Sequence, residues 1–382
     1  MSSAASSPTR RAGSSRTASP TAARCRSTTR YATLWLFQAV NAYLVAGGDP
    51  AFAREVYPKA RDIIRFHANG TLHGIRVDPE DGLLVAGDQG AQLTWMDAKV
   101  GDWVVTPRHG KPVEVNALWY NALRLAATWG RAAGDSAGEE ELDREAARVA
   151  RSFAERFWDP RSGRLFDVLL PTGPDRRMRP NQIFAVSLPF PLLDQQRQRS
   201  VVRAVEKALL TPVGLRTLAP GERDYRPRYG GAPRERDGAY HQGAVWPWLL
   251  GPFIRAYLTA FGRTRHNLAY CRSLLRGLER HMIAEGCLGS ISEILEPEPP
   301  YRPVGAPAQA WSVAEVLQVL VTDLGTGVRR GPNSRDAGEG RSQGNQSLLS
   351  TAPPHPTLSP AGGEERRNIH DLPYDLRAGS SN

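Results

Sequence analysis

Residues Glu114–Trp158 read EVNALWYNALRLAATWGRAAGDSAGEEELDREAARVARSFAERFW, and this stretch decides the fold. Over 114–133 apolar residues recur at helical spacing around Trp119 and cover much of the circumference, as in a helix that is buried on most sides. Over 139–157 the helical period continues, but the charges gather on one face, which marks a helix with one side in water. A short turn joins the two. An inner helix followed by an outer one is the unit that the rest of the chain repeats.

Working outward, the spacing predicts further helices over 34–46, 54–67, 180–193, 196–210, 240–262, 266–285 and 305–323, and no run reads as a strand. The helices carrying Phe184, Trp246, Trp248 and Trp311 resemble the inner type, whereas 266–285 resembles the outer type. Short turns alternate with long loops at 68–113, 158–179, 211–239 and 286–304, which are rich in Gly, Pro and aromatic residues. If successive helices run antiparallel, all the long loops gather at one end, and long loops in a compact domain usually carry function. The expected fold class is all-α, an α/α barrel with an open mouth, occupying residues 34–323. Residues 1–33 are expected to be a disordered or mis-framed basic leader, and 324–382 a disordered tail of Gly, Ser, Pro and Arg.

Composition removes several function classes. The chain has a net charge of +10, but residues 1–33 carry six Arg and no acid, the tail adds one more positive charge, and only +3 remains on 34–323. A nucleic-acid binder places its basic charge on the folded domain, so no nucleic-acid partner is expected. No apolar run is long enough for a membrane span, so no membrane partner is expected either. Three scattered cysteines, Cys25, Cys271 and Cys287, form no disulfide framework or metal cluster, and with no apolar leader segment a cytoplasmic location is expected. The eight His show no zinc spacing, and no Gly-rich phosphate loop occurs, so the expectation is that no metal or other cofactor is needed.

Two carboxylates stand out in the long loops. Asp97 follows Trp95 and Met96, whose bulk would desolvate it and favour the protonated form of a general acid, while Lys99 acts in the opposite direction. Glu293 lies between apolar residues just before the Pro-rich stretch 297–303. Two carboxylates facing one cleft lined by Trp95, Trp103, Trp246 and Trp311 suit glycoside hydrolysis, where one protonates the leaving oxygen and the other activates water. The faces of the tryptophans are platforms on which sugar rings stack. A loop Asp is also an ordinary turn or cap residue, and Trp in a helical toroid is also ordinary core.

The segment Leu93–Leu123, LTWMDAKVGDWVVTPRHGKPVEVNALWYNAL, resembles the amylo-alpha-1,6-glucosidase family, the C-terminal domain of glycogen debranching enzymes. The likeness recurs in order at Arg179–Gln182, Thr211–Leu218 (TPVGLRTL), Asp237–Gly251 (DGAYHQGAVWPWLLG) and Gly289–Glu315. It implies an (α/α)6 barrel, a six-hairpin toroid, that releases glucose from alpha-1,6 branch points of glycogen or limit dextrin with an inverting carboxylate pair. By position it implies Asp97 as general acid and Glu293 as general base. It also implies a glucose pocket lined by Trp95, Lys99, Asp102, Arg108, His109 and Glu114, a substrate-facing stretch at His241, Gln242 and Trp246, and an aromatic wall at Trp311. Glu296, Asp237 and Asp224 are substitutes for the catalytic pair.

The departures carry expectations of their own. Six hairpins make twelve helices and nine are read here, and the likeness fades near residue 32, so the toroid is expected to be incomplete at its N-terminus and to expose apolar helix faces. Two other readings follow: an inactive remnant that at most binds glucan weakly, and a related alpha-glucosidase acting on trehalose or short oligosaccharides. The chain has no strand–helix alternation long enough for a glucanotransferase barrel, so branch trimming would need a partner phosphorylase or glucanotransferase.

Overall fold

The computed structural model describes residues 32–88 and 90–325; the expected leader and tail fall, apart from their inner edges, outside the described residues. The deciding stretch folds as two helices, α3 over Val113–Ala133 and α4 over Ser136–Arg156, following α1 over Ala32–Val45 and α2 over Ala51–Asn69. Between α3 and α4, Gly134 takes a left-handed conformation (φ 79°) and Asp135 caps α4 by accepting from Gly138 N at 2.9 Å. Glycine adopts that conformation without the Cβ penalty, which allows the tight reversal. Tyr57 Oη also donates to Asp135 at 2.7 Å, so α2 is pinned to the same turn.

Downstream come α5 over Phe184–Ser187, α6 over Gln195–Leu209, α7 over Pro233–Ala239, α8 over Leu250–Phe261, α9 over Arg265–Leu274, α10 over Arg276–Ala284 and α11 over Ala310–Gln318. Helices α1, α3, α5, α8 and α11 form a row in which each packs against the next, with α2 and α4 behind α3, and α6 and α9 behind α8. The burial of α3 on nearly all sides and the half-exposed α4 match the inner and outer types. α1 carries no charge, yet exposes Leu36, Tyr43 and Val45, and at the other end of the row α11 and the turn after it expose Val313, Leu317 and Val321. Between them lies a cavity of about 1110 Å³ bounded by α1, the turn after α5, α8 and α11.

The all-α expectation is corrected in the long loops, which contain short antiparallel strands. β1 (Arg76–Val77) pairs with β2 (Leu84–Val85), and β3 (Lys99–Val100) with β4 (Trp103–Val104). β5 (Lys111–Pro112) joins β8 (Val168–Leu170) and β9 (Gly173–Asp175), while β6 (Trp158–Asp159) pairs with β7 (Arg164–Leu165). The largest sheet orders β10 (Leu210–Thr211), β11 (Gly214–Arg216), β12 (Val245–Trp246), β13 (Ile294–Leu295) and β14 (Pro303–Val304). Two or three residues cannot display a period of two, so these pairs leave no sequence pattern.

Helix limits shift for local reasons. The helix expected over 180–193 ends at Ser187 because Pro189 and Pro191 follow, and a residue before proline avoids the helical region. The helix expected from 240 starts at Leu250, since Val245 and Trp246 pair with Leu295 and Leu215 instead. The last starts at Ala310, after the turn through Gly305 and Pro307, and 266–285 is divided at Leu275.

The β10–β11 turn needs glycine at 214: φ is +146°, and a Cβ there would lie 2.6 Å from Trp246 O. Gly214→Ala is expected to lower the denaturation midpoint, at a cost of about 1–3 kcal/mol for the forced backbone shift, measured by urea unfolding.

Candidate active site

The long loops that carry the motif residues are tied together by one buried charged cluster. Arg108, 4% exposed, donates through Nε to Asp167 Oδ2 at 2.9 Å and makes a bidentate pair with Glu114, with Nη2 2.6 Å from Oε2. Glu114 lies in the first turn of α3, where an anion also meets the positive end of the helix dipole. Burial alone would lower the Arg108 pKa, but the carboxylates of Asp167 and Glu114 outweigh it and hold the guanidinium well above its ordinary value. Asp167 arrives from the loop before β8; its carbonyl accepts from Val113 N at 3.0 Å, and Asn181 Nδ2 donates to its Oδ1 at 2.7 Å.

Asn181 passes the connection on to the loop of Trp95 and Asp97, because its Oδ1 accepts from Trp95 Nε1 at 2.7 Å. Arg179, 1% exposed, reaches the other side: Nη1 donates to Thr217 O at 3.0 Å and His241 O at 2.7 Å, and Nη2 to Gln242 Oε1 at 2.8 Å. Burial pushes its pKa down to about 10, against the pull of Asp167, so it stays charged at neutral pH. Gln242 then donates to Val105 O at 3.1 Å. The loops before α3, before α5 and before α8 are thus stitched into one base.

On this base lies an aromatic floor. Trp95 meets His241, Trp246 and Trp248 edge to face, with centroids at 5.3, 5.5 and 5.1 Å. His241 is fully buried and stacks on Trp246 at 5.3 Å and 15°, with neither ring nitrogen hydrogen-bonded to the protein. Burial, reinforced by the charges of Arg179 and Arg108, holds its pKa well below the ordinary value, so the ring is neutral. Trp311 stacks on Trp248 at 3.9 Å and borders the inner cavity.

Asp97 follows this floor but is itself exposed: Trp95 and Met96 turn inward, toward Asn181 and Arg179, while the carboxylate faces out. The burial expected from its apolar neighbours is therefore absent, because those neighbours serve the core. Lys99 is exposed in β3 and donates to Gly90 O at 2.9 Å; Asp102 is exposed on the β3–β4 turn, and His109 is half-buried beside Gly87. Glu293 is half-buried at the start of β13. Its Oε1 accepts from Tyr240 Oη at 2.5 Å and Gln309 Nε2 at 3.4 Å, and its Oε2 from Ala306 N at 3.0 Å. Gly305 permits this grip: φ is +71°, and a Cβ there would lie 2.6 Å from Glu293 Oε2.

Tyr240 holds Glu293. Burial, then the hydrogen bond to Glu293, then the charges of Glu293, Tyr229 and, least of all, Asp97 push its phenol far above the ordinary pKa. Of the substitutes, Asp237 pairs with Arg236 at 2.8 Å and Asp224 with Arg177 at 3.2 Å, and Glu296 is half-buried beyond β13. Arg108, Glu114, His241 and Gln242 are buried, each at most 4% exposed, and Trp95 and Trp246 are nearly as deep, so these residues back the loops of Asp97 and Glu293 from within. Sequence reasoning missed Asp167, Tyr240, Gly305 and Gln309. Tyr240 and Gln309 lie inside quoted motifs, but Asp167 has no spacing that marks it.

Residues 17–318 match the family described as Amylo-alpha-1,6-glucosidase. The chain belongs to this family. The match starts at residue 17, so the likeness reaches further upstream than the sequence motifs suggested. Within it, the chain is similar to the glycogen debranching enzyme of Saccharomyces cerevisiae (strain ATCC 204508 / S288c), 26% identical over 302 residues that cover 64% of this chain and 20% of that protein. The chain spans about a fifth of that relative's length. Among solved structures it resembles a sialidase (TM-score 0.54, 14% identity, 72% of this chain and 24% of that one), which speaks for the fold alone. A mannosylglycerate hydrolase of glycoside hydrolase family 63 from Thermus thermophilus aligns at TM-score 0.41 and 17% identity, over 56% of this chain and 46% of that one.

Two measurements test the base of the site. Asp167→Ala leaves Arg108 buried with half its partners and is expected to cost about 3–5 kcal/mol in chemical denaturation, far more than an exposed pair. His241 stays neutral when folded but binds a proton when unfolded below about pH 6.5, so stability falls as pH drops through that value. His241→Asn is expected to flatten the slope of unfolding free energy against pH by about one proton, or about 1.4 kcal/mol per pH unit, between roughly pH 6 and 4.

Proposed function

We propose that the chain is the glucosidase module of a glycogen debranching system and releases glucose from alpha-1,6 branch points of a glucan. Family membership supports a glycoside hydrolase, and the observation that carries the finer reading is Glu293 held at 2.5 Å by Tyr240, whose ring packs on Trp246, which in turn meets the Trp95 of the Asp97 loop. Asp97, from the loop leading to β3, protonates the glycosidic oxygen as the bond to the anomeric carbon breaks. Glu293 takes a proton from a water that attacks that carbon from the opposite face, which inverts the configuration and gives beta-glucose. The exposure of Asp97 suits a substrate that closes over it and supplies the desolvation that the protein alone does not. Lys99, Asp102 and Trp103 are exposed and His109 is half-buried, and on this reading a glucan chain passes over them. A cytoplasmic glycogen particle, shortened by a phosphorylase or glucanotransferase, is the substrate that this reading requires.

A second reading rests on the apolar faces of α1 and α11 left in water on either side of the cavity: a module that binds glucan without turning it over. Glucose release from phosphorylase limit dextrin separates the two. The expected outcome is release of beta-glucose by the parent chain, seen as the first anomer by proton NMR. Glu293→Gln and Asp97→Asn are expected to lose about 10³-fold or more on the dextrin while keeping the parent's near-ultraviolet circular dichroism. Alpha-glucose as the first product would exclude the inverting assignment, and a folded parent without release would favour the binding module.

A further inference from the structure

We propose that Tyr240 is the positioning residue of the catalytic base: its hydroxyl fixes the orientation of the Glu293 carboxylate, and with it the direction of its free lone pairs. The inference rests on the hydrolase reading above and adds a residue to it. Tyr240 follows α7, and its place is set from several sides. Its carbonyl accepts from Trp246 Nε1 at 3.1 Å, its N–H reaches Asp237 O at 3.3 Å, and its ring packs on His241 at 4.7 Å, Trp246 at 5.0 Å and Tyr229 at 5.8 Å. A phenol held this way has its oxygen at a fixed point, and that point is 2.5 Å from Glu293 Oε1. The short distance is typical of a hydroxyl donating to a carboxylate.

Glu293 needs such a partner because its loop offers little else. Oε2 is held by Ala306 N at 3.0 Å, but on Oε1 the other donor is Gln309 at 3.4 Å, a long and weak bond. Each carboxylate oxygen has two lone-pair sites, so one firm donor per oxygen leaves a free site on each for a water. Without Tyr240 the carboxylate turns about its Cγ–Cδ bond, and the free lone pairs no longer share one direction. The raised pKa of the phenol keeps it protonated, hence a donor, at neutral pH and well above it.

The test uses α-glucosyl fluoride, whose leaving group departs with its electron pair and needs no proton, so the rate reports the base. With the whole 382-residue chain, Tyr240→Phe is expected to lower kcat about 10- to 100-fold, with KM within about twofold, the loss typical of a misplaced catalytic group. Azide supplies the second arm. In Glu293→Ala, azide attacks the anomeric carbon in place of water, the carbon–fluorine bond breaks, and β-glucosyl azide forms without any base. Adding Tyr240→Phe to that variant is expected to leave the azide rate unchanged. An unaltered kcat in Tyr240→Phe, or an azide rate that falls as far as the hydrolysis rate, would overturn the inference, the second by showing that the ring merely holds the loop. A parent inactive on both the fluoride and limit dextrin, or a Glu293→Ala variant that azide does not rescue, overturns the hydrolase reading itself and this inference with it.

Discussion

The double ion pair of Arg108 is the constraint on which the site depends. One guanidinium bonds Glu114, at the start of the most buried helix, and Asp167, in a loop more than fifty residues away. Removing three charges from water costs several kcal/mol per ion, and a buried pair of this kind seldom adds much net stability over an apolar replacement. What it adds is geometry. The planar fork of Arg108 is satisfied only when the loop before α3 and the loop before β8 lie in one register, and the pairing of Lys111 with Leu169 is that register. Asn181 and Arg179 extend the same demand to Trp95 and to His241–Gln242, so three loops with little secondary structure behave as one body.

Against this charged base Glu293 is held differently. The donors found on Glu293 are a phenol, an amide side chain and a backbone N–H, all neutral. Neutral donors orient a carboxylate without neutralising it, as a guanidinium does for Glu114 and Asp167. The charged side chains are therefore spent behind the cleft, where they fix loops, and the cleft itself is shaped by hydrogen bonds and aromatic edges. A general base that had to give up an ion pair to accept a proton would be a poor one.

How much of this was legible in the sequence depends on the length of the signal. The long helices α3, α4 and α6 were readable to within a few residues, since fifteen or more residues display a 3.6-residue period clearly. The proline-stopped α5 and the strands were not, because two-residue ladders such as Leu215 with Trp246 are set by partners far along the chain. The family motifs lie together in the folded chain, but their order along the sequence does not record depth. Arg108, Glu114, His241 and Gln242 appear beside Asp97 and Trp246 in sequence, yet they lie behind the floor. Neighbours in a loop alternate between cleft and core, and composition does not record which side each faces. Asp97 shows this most clearly: its apolar neighbours are real, but they point away from it.

The helix row and the cleft are coupled through aromatic rings rather than through charges. Trp35 of α1 meets Phe184 edge-on at 5.8 Å, Phe184 leans on Trp248 at 5.8 Å, and Trp248 touches both Trp95 and Trp311. This ladder runs along the wall of the inner cavity, so the packing of α1 and α11 around that space bears on the indole beside Asp97. The charged base fixes where the loops are, whereas the ladder decides how firmly their aromatic floor is backed. Close-packed rings transmit a displacement because they have no room to absorb it. Glu293 is gripped by Tyr240, Ala306 and Gln309, and because Tyr240 packs on Trp246, which meets Trp95, the rings that back the Asp97 loop also back the tyrosine that holds Glu293.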